Sequence, residues 1–225
     1  MVNFTKQVFN LNGRDIHYEK PSQSRAIPMR SFSNRGFLPS LKPQLQNFIV
    51  EFESKLEQNF YLILDHDPNC IDFQPQPIEL IYKNEDGRDI KFYPDCWAIF
   101  SDERQFLFNI KMDSEYQKRI KDKNWWLQHE AIQATCKKFG WTYKVITDKE
   151  IQCVRLDNIK DLLASAKHYS PSKFPKKLGT FHLSLKKFLE GTPITLNELS
   201  KLLSVTLSIK IEEIVSLIKN QIYFM

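Results

Sequence analysis

Glycine is scarce, with 6 in 225 residues, and none of the six falls in a GxGxxG or GxxxxGK(S/T) phosphate loop. There is no GxSxG elbow and no HExxH helix either, which disfavours nucleotide-dependent, serine-hydrolase and zincin chemistries. The four cysteines, Cys70, Cys96, Cys136 and Cys153, show no paired spacing. That pattern fits a reducing compartment, so a cytoplasmic location is expected. No run approaches the roughly 18 consecutive apolar residues of a membrane helix. The stretch Met1 to Lys6 lacks an apolar core and a cleavage site, so no secretory leader is expected.

What is present is an ordinary globular composition, 42% hydrophobic and 26% charged, at a length that suits one main core plus a small appendage. The net charge of +5 is unevenly spread: residues 1–50 carry +5, residues 51–170 carry −4 and residues 171–225 carry +4. Basic ends around an acidic middle suit a polyanion partner, because phosphates neutralised by Lys and Arg release counterions, while acids in the centre can hold a divalent cation.

The first 48 residues hold Pro21, Pro28, Pro39 and Pro43, and place Arg25, Arg30 and Arg35 at five-residue steps without a sustained apolar period. They read as an extended basic arm whose three arginines contact DNA phosphates. From Phe48 the apolar residues Ile49, Phe52, Leu56, Phe60 and Ile63 recur at helical spacing, predicting a helix that ends near Asp65 to Pro68. Short strands are predicted at 71–73 and 77–82, with a turn at Asn84 to Gly87, and longer ones at 92–100 and 105–112. A single helix over 114–139 is capped by Gly140, followed by a strand over 141–147, a short helix or turn at Asp148, a short strand at 153–156 and a helix over 159–168. A break at Ser170 to Lys177 separates a larger unit over 49–170 from three short helices in 178–225, which suggest a winged-helix-like domain. Its third helix, 209–219, balances two acids against two lysines and reads as a protein-docking element rather than a DNA reader.

One constellation has a chemical logic. Asp95 follows Tyr93-Pro94 at the start of one strand, and Asn109-Ile110-Lys111 ends the next. Phosphodiester hydrolysis needs a divalent cation to polarise phosphate and acidify water, and oxygen donors suit Mg²⁺. Asp95, the Asn109 side chain, the Ile110 carbonyl and Glu57 from the preceding helix would supply those donors, with Lys111 beside the attacking water. The two strands are expected to be antiparallel neighbours. Asp95 shares a face with Asn109 and Lys111 only if opposed residue numbers sum to an even value, which requires an odd loop or a bulge between Phe100 and Gln105.

The ordered series Phe52 to Glu57, Asp67-Pro68, Phe73-Gln74-Pro75-Gln76-Pro77, Tyr93-Pro94-Asp95, Asn109 to Lys111 and Gly140 to Asp148 resembles TnsA, the endonuclease subunit family of heteromeric bacterial cut-and-paste transposases. The resemblance runs from about Arg25 to Ile151. It implies an α/β, restriction-endonuclease-like mixed sheet flanked by helices, followed by a small winged-helix-like domain. It implies Mg²⁺, with Mn²⁺ able to substitute, and hydrolysis of one strand, on the 5′ side, at the transposon ends. Transposon-end DNA, a DDE-type transposase subunit and an AAA+ regulator are the implied partners, and nucleoid association the implied assembled location. Glu57 matches the family's helical acid, Asp95 its strand acid and Lys111 its lysine. Asn109 departs from the usual Gln or acid, shortening the reach by about 1.5 Å. That departure keeps a noncatalytic assembly subunit in play beside the nuclease, and a free-standing nuclease is the third reading.

Overall fold

The computed structural model describes residues 3–25, 34–40, 42 and 49–166. Arg30, the linker at 170–177 and the three C-terminal helices therefore lie outside the described residues. The chain divides into two units, Met1–Ile151 and Gln152–Met225.

The first unit is organised on a four-stranded mixed sheet of order β10-β9-β8-β5, built from β5 (Cys70–Pro75), β8 (Cys96–Phe100), β9 (Gln105–Lys111) and β10 (Thr142–Thr147). β5, β8 and β9 run antiparallel and β10 is parallel to β9. A parallel return needs a crossover. Here it is α2 (Asp113–Arg119) and α3 (Lys123–Phe139). The single helix expected over 114–139 is thus two, because the Asp122 side chain accepts the Asn124 N–H and starts a new helix. α3 closes on Gly140 in the left-handed conformation, φ 70°, as expected of that glycine.

The sheet alternates between two buried faces. On one, α1 (Lys55–Asp65) sets Phe60 edge-on to Phe108 at 5.0 Å and Tyr61 against Phe73 at 5.8 Å. On the other, Trp97, Ile99 and Leu107 pack with Ile132 and Cys136 of α3, with Trp141, and with Ile16 and Tyr18 from the N-terminal end of the chain. β6 (Leu80–Lys83) and β7 (Asp89–Phe92) form a separate hairpin turned at Gly87, φ 74°. The strand expected over 92–100 is broken by Tyr93-Pro94-Asp95, as Pro94 has no N–H to give a ladder.

Two expectations near the N-terminus are corrected. The extended arm is, over its described residues, largely strand: β1 (Phe4–Leu11) and β2 (Arg14–Pro21) make a hairpin, and β3 (Gly36–Pro39) pairs with β4 (Ile49–Phe52). Ile16, Tyr18 and Lys20 alternate inward along β2 and are all buried. The helix expected from Ile49 starts only at Lys55, where the Ser54 hydroxyl caps the Glu57 N–H. Upstream, Val50 and Phe52 are buried while Ile49 is exposed, the two-residue period of a strand. α4 (Asp148–Ile151) completes this unit. In the second unit the strand expected at 153–156 is instead the first turn of α5 (Val154–Ala166).

Candidate active site at the end of the central sheet

Opposed residues of β8 and β9 sum to 204, as in Cys96 with Phe108 and Ile99 with Gln105, and just beyond the last pair the Asp95 N–H bonds to the Phe108 carbonyl at 3.0 Å. The odd loop expected between these strands is Ser101–Glu103: the Phe100 N–H bonds to the Arg104 carbonyl at 3.0 Å, and Glu103 takes the left-handed conformation at φ 66°. Asp95 and Lys111 meet, with Nζ 3.6 Å from Oδ2 and both side chains less than a fifth exposed. The Ile110 N–H donates to the same Oδ2 at 2.5 Å. Burial pushes the Asp95 carboxyl above its ordinary range, while Lys111 and the Ile110 N–H pull it back.

Asp95 is pinned through its backbone too. Its carbonyl accepts from the Tyr61 hydroxyl at 2.9 Å and from the Gln76 N–H at 3.0 Å. Gln76 is buried, holds a left-handed φ of 42°, and passes the constraint on, since its carbonyl accepts the Ser24 N–H and hydroxyl at 2.9 and 2.8 Å. Residue 24 of the expected arm is thereby fixed to the corner that carries Asp95.

Glu57 sits on the first turn of α1 because Ser54 and Glu57 form a capping box. Its Oε1 accepts the Ser54 hydroxyl and its Oε2 the Glu53 N–H, each at 2.9 Å. It is not the solvated helix residue its sequence position allows; it is buried. Burial first, then the Asp95 charge, pushes its carboxyl up to about 7. Asn109 is fully buried in β9, where Nδ2 lies 3.4 Å from the Tyr143 hydroxyl and Oδ1 has no hydrogen-bond partner. Among the described residues no three His, Cys, Asp or Glu side chains converge to hold a metal ion. The oxygen donors gathered here are two carboxylates, an amide and the backbone around Ile110, a hard-ligand set of the kind that leaves room for water.

Of the expected DNA-binding arginines, Arg25 and Arg35 are placed beside these acids rather than on an arm. Arg25 Nη2 lies 2.9 Å from Glu53 Oε2, Arg35 Nη2 lies 3.8 Å from Glu53 Oε1, and the Arg25 guanidinium covers the Tyr93 ring at 4.6 Å. Glu53 itself precedes the helix, and both arginines lie against its carboxylate. Glu53, Tyr61 and Tyr143 were not legible as site residues. Tyr143 reaches Asn109 only through the parallel β9/β10 register, and nothing local in the sequence announces that pairing. An open groove of about 370 Å³ between Asp67, Phe100, Arg104, Phe106 and Lys144 is lined by none of Glu57, Asp95, Asn109 and Lys111.

The four-stranded mixed sheet flanked by helices is an α/β architecture that fits a restriction-endonuclease-like fold. Residues 67–148 match the family described as TnsA-like endonuclease N terminal. The match takes in Asp95, Asn109, Ile110 and Lys111; Glu57 lies ahead of it. No curated protein matches the chain.

Proposed function

We propose that the chain is the metal-dependent endonuclease subunit of a transposase, cutting one DNA strand at each transposon end. The observation that carries this reading is the 3.6 Å approach of Lys111 to Asp95, at a sheet end that also buries Glu57 and Asn109. Glu57, Asp95, the Asn109 Oδ1 and the Ile110 carbonyl are the groups to hold Mg²⁺, or Mn²⁺ in its place. The unsatisfied, buried Asn109 oxygen fits that role, since such an atom costs about 1–3 kcal/mol without a partner. In an antiparallel ladder the N–H and C=O of one residue turn toward the same neighbour, so the Ile110 carbonyl shares the side on which its N–H meets Asp95. The bound cation supplies Lewis acidity and a more acidic water.

The protein's own groups do the positioning. The Ile110 N–H fixes one Asp95 oxygen, and Tyr61 and Gln76 hold the Asp95 backbone, so the carboxylate is aimed before substrate arrives. Lys111 carries a fixed ammonium where negative charge develops on the phosphate. Arg25, Arg30 and Arg35 contact DNA phosphates. The partners on this reading are transposon-end DNA, the DDE-type transposase subunit and the AAA+ regulator, the last docked by residues 178–225.

The test is strand-specific nicking of transposon-end DNA with Mg²⁺ in the presence of the transposase partner. Wild type should nick, and Asp95→Ala and Lys111→Ala should lose at least about 100-fold in rate while unfolding at a similar temperature. Unchanged nicking by either variant refutes its assigned role. Use of the Asn109 amide by Tyr143 favours a second reading, a noncatalytic assembly subunit. Asn109→Asp separates the two, because added charge should raise Mn²⁺ affinity in a nuclease and leave a scaffold inert.

A further inference from the structure

A half-buried ion cluster lies beside Glu57, and its acid, Glu53, has no role in the function above. Glu53 takes Arg25 on one oxygen at 2.9 Å and Arg35 near the other at 3.8 Å. Its backbone N–H holds Glu57 Oε2, and its charge adds to the upward push on both Glu57 and Asp95. Arg25 is placed by a continuous relay, from the Asp95 carbonyl to Gln76 and from the Gln76 carbonyl to Ser24, and by the Tyr93 ring under its guanidinium. Arg25 is therefore indexed to Asp95.

The Arg25–Glu53 contact is incomplete. A guanidinium presents a fork of donors that fits two oxygens side by side. Here Nη2 alone is used toward Glu53, while the buried Nε has no acceptor and Glu53 Oε1 has no hydrogen-bond partner. A carboxylate seated end-on leaves a donor for which a phosphodiester, with its two nonbridging oxygens, is the better acceptor.

We propose that Arg25 and Arg35 form a clamp for a DNA backbone phosphate adjoining the acid site, and that Glu53 stands in for that phosphate in the DNA-free protein, giving way when the duplex arrives. The inference rests on the nuclease reading and deepens it: the clamp selects a backbone phosphate, not a base, and sets where the strand lies relative to Asp95.

The experiment is a double-mutant cycle on the full-length protein, using fluorescence anisotropy of a labelled DNA duplex in EDTA, so that no metal bridges protein and phosphate. Glu53→Gln keeps the shape and removes the competing charge. It should tighten binding about tenfold, equivalent to about 1.4 kcal/mol. The slope of log K against log salt should steepen by up to roughly 0.9, the value for one phosphate contact. In the Arg25→Ala/Arg35→Ala background the same substitution should gain nothing. An equal gain in that background overturns the proposal, since Glu53 is then only a general repulsive charge. Weaker binding by Glu53→Gln overturns it as well, by making Glu53 the arginines' support. Arg25→Gln/Arg35→Gln repeats the cycle should the alanine pair fail to fold, as judged by urea unfolding. A wild-type chain with no affinity for duplex sinks the nuclease reading itself, a result distinct from either failure of the cycle.

Discussion

Glu57 is the residue at which burial and charge work in one direction. Desolvation and the nearby Asp95 carboxylate raise its folded-state pKa from an ordinary 4.5 to about 7, against two hydrogen bonds that favour the anion. A carboxyl whose folded pKa is raised binds more protons folded than unfolded between those two values. The metal-free protein should therefore lose stability as pH rises from about 4.5 to about 7, and the loss should be complete above that window. Glu57→Gln should flatten this part of the profile in EDTA, read as thermal midpoint against pH. A slope unchanged by Glu57→Gln would place the titrating group elsewhere. The approach of Asp95 to Lys111 was legible at this scale, because an antiparallel pair with an odd loop brings the start of one strand beside the end of the next. Glu57 was legible as an acid on the right helix, but its burial was not. That depends on Ser54 folding the carboxylate back over the helix start, a three-residue motif masked by a longer apolar repeat.

At the scale of elements, the N-terminal hairpin is held by a buried ionic knot. Lys20 Nζ lies 2.7 Å from Asp72 Oδ1, the Tyr18 hydroxyl donates to Oδ2 at 2.9 Å, and the Phe73 N–H adds a third bond at 2.8 Å. Asp72 has no exposure at all, and burial raises its pKa even against Lys20. Removing one partner strands a charge in a low-dielectric interior, which costs about 3–5 kcal/mol. Lys20→Met should cost that much by urea unfolding, and the Lys20→Met/Asp72→Asn pair should recover a large part of it, because the two sites couple through one contact. A simple sum of the two single effects would show that the knot contributes nothing as a pair. This hairpin was illegible in the sequence for a physical reason: its inward row is Ile16, Tyr18 and Lys20, and a lysine breaks the apolar alternation a reader counts. α2 and α3 fused for the opposite reason, since the turn between Arg119 and the capping Asp122 has no proline or glycine to mark it.

At the scale of the molecule, the +5 charge of residues 1–50 does not describe a free polycation. Arg14 pairs with Glu103, Lys20 with Asp72, and Arg25 and Arg35 with Glu53, so acids of the −4 middle segment already take up much of it. No helix among the described residues is long and apolar enough to cross a membrane. An arm and an integral hairpin predict different outcomes when the beginning of the chain is removed. Deleting residues 1–22 from a basic arm would weaken DNA binding and leave the rest folded. In this fold the same deletion strips Ile16 and Tyr18 from the core, takes the Tyr18 ring from its stack on Trp97 at 6.1 Å, and leaves Asp72 without Lys20. Large-to-small losses at such positions cost about 2–5 kcal/mol each, and total stabilities are only about 5–15 kcal/mol. The truncated chain should therefore be unfolded or aggregated at room temperature, shown by loss of the cooperative thermal transition and of near-ultraviolet circular dichroism from the buried tryptophans. A truncated chain that keeps its thermal midpoint and loses only DNA affinity would return these residues to the role of an arm.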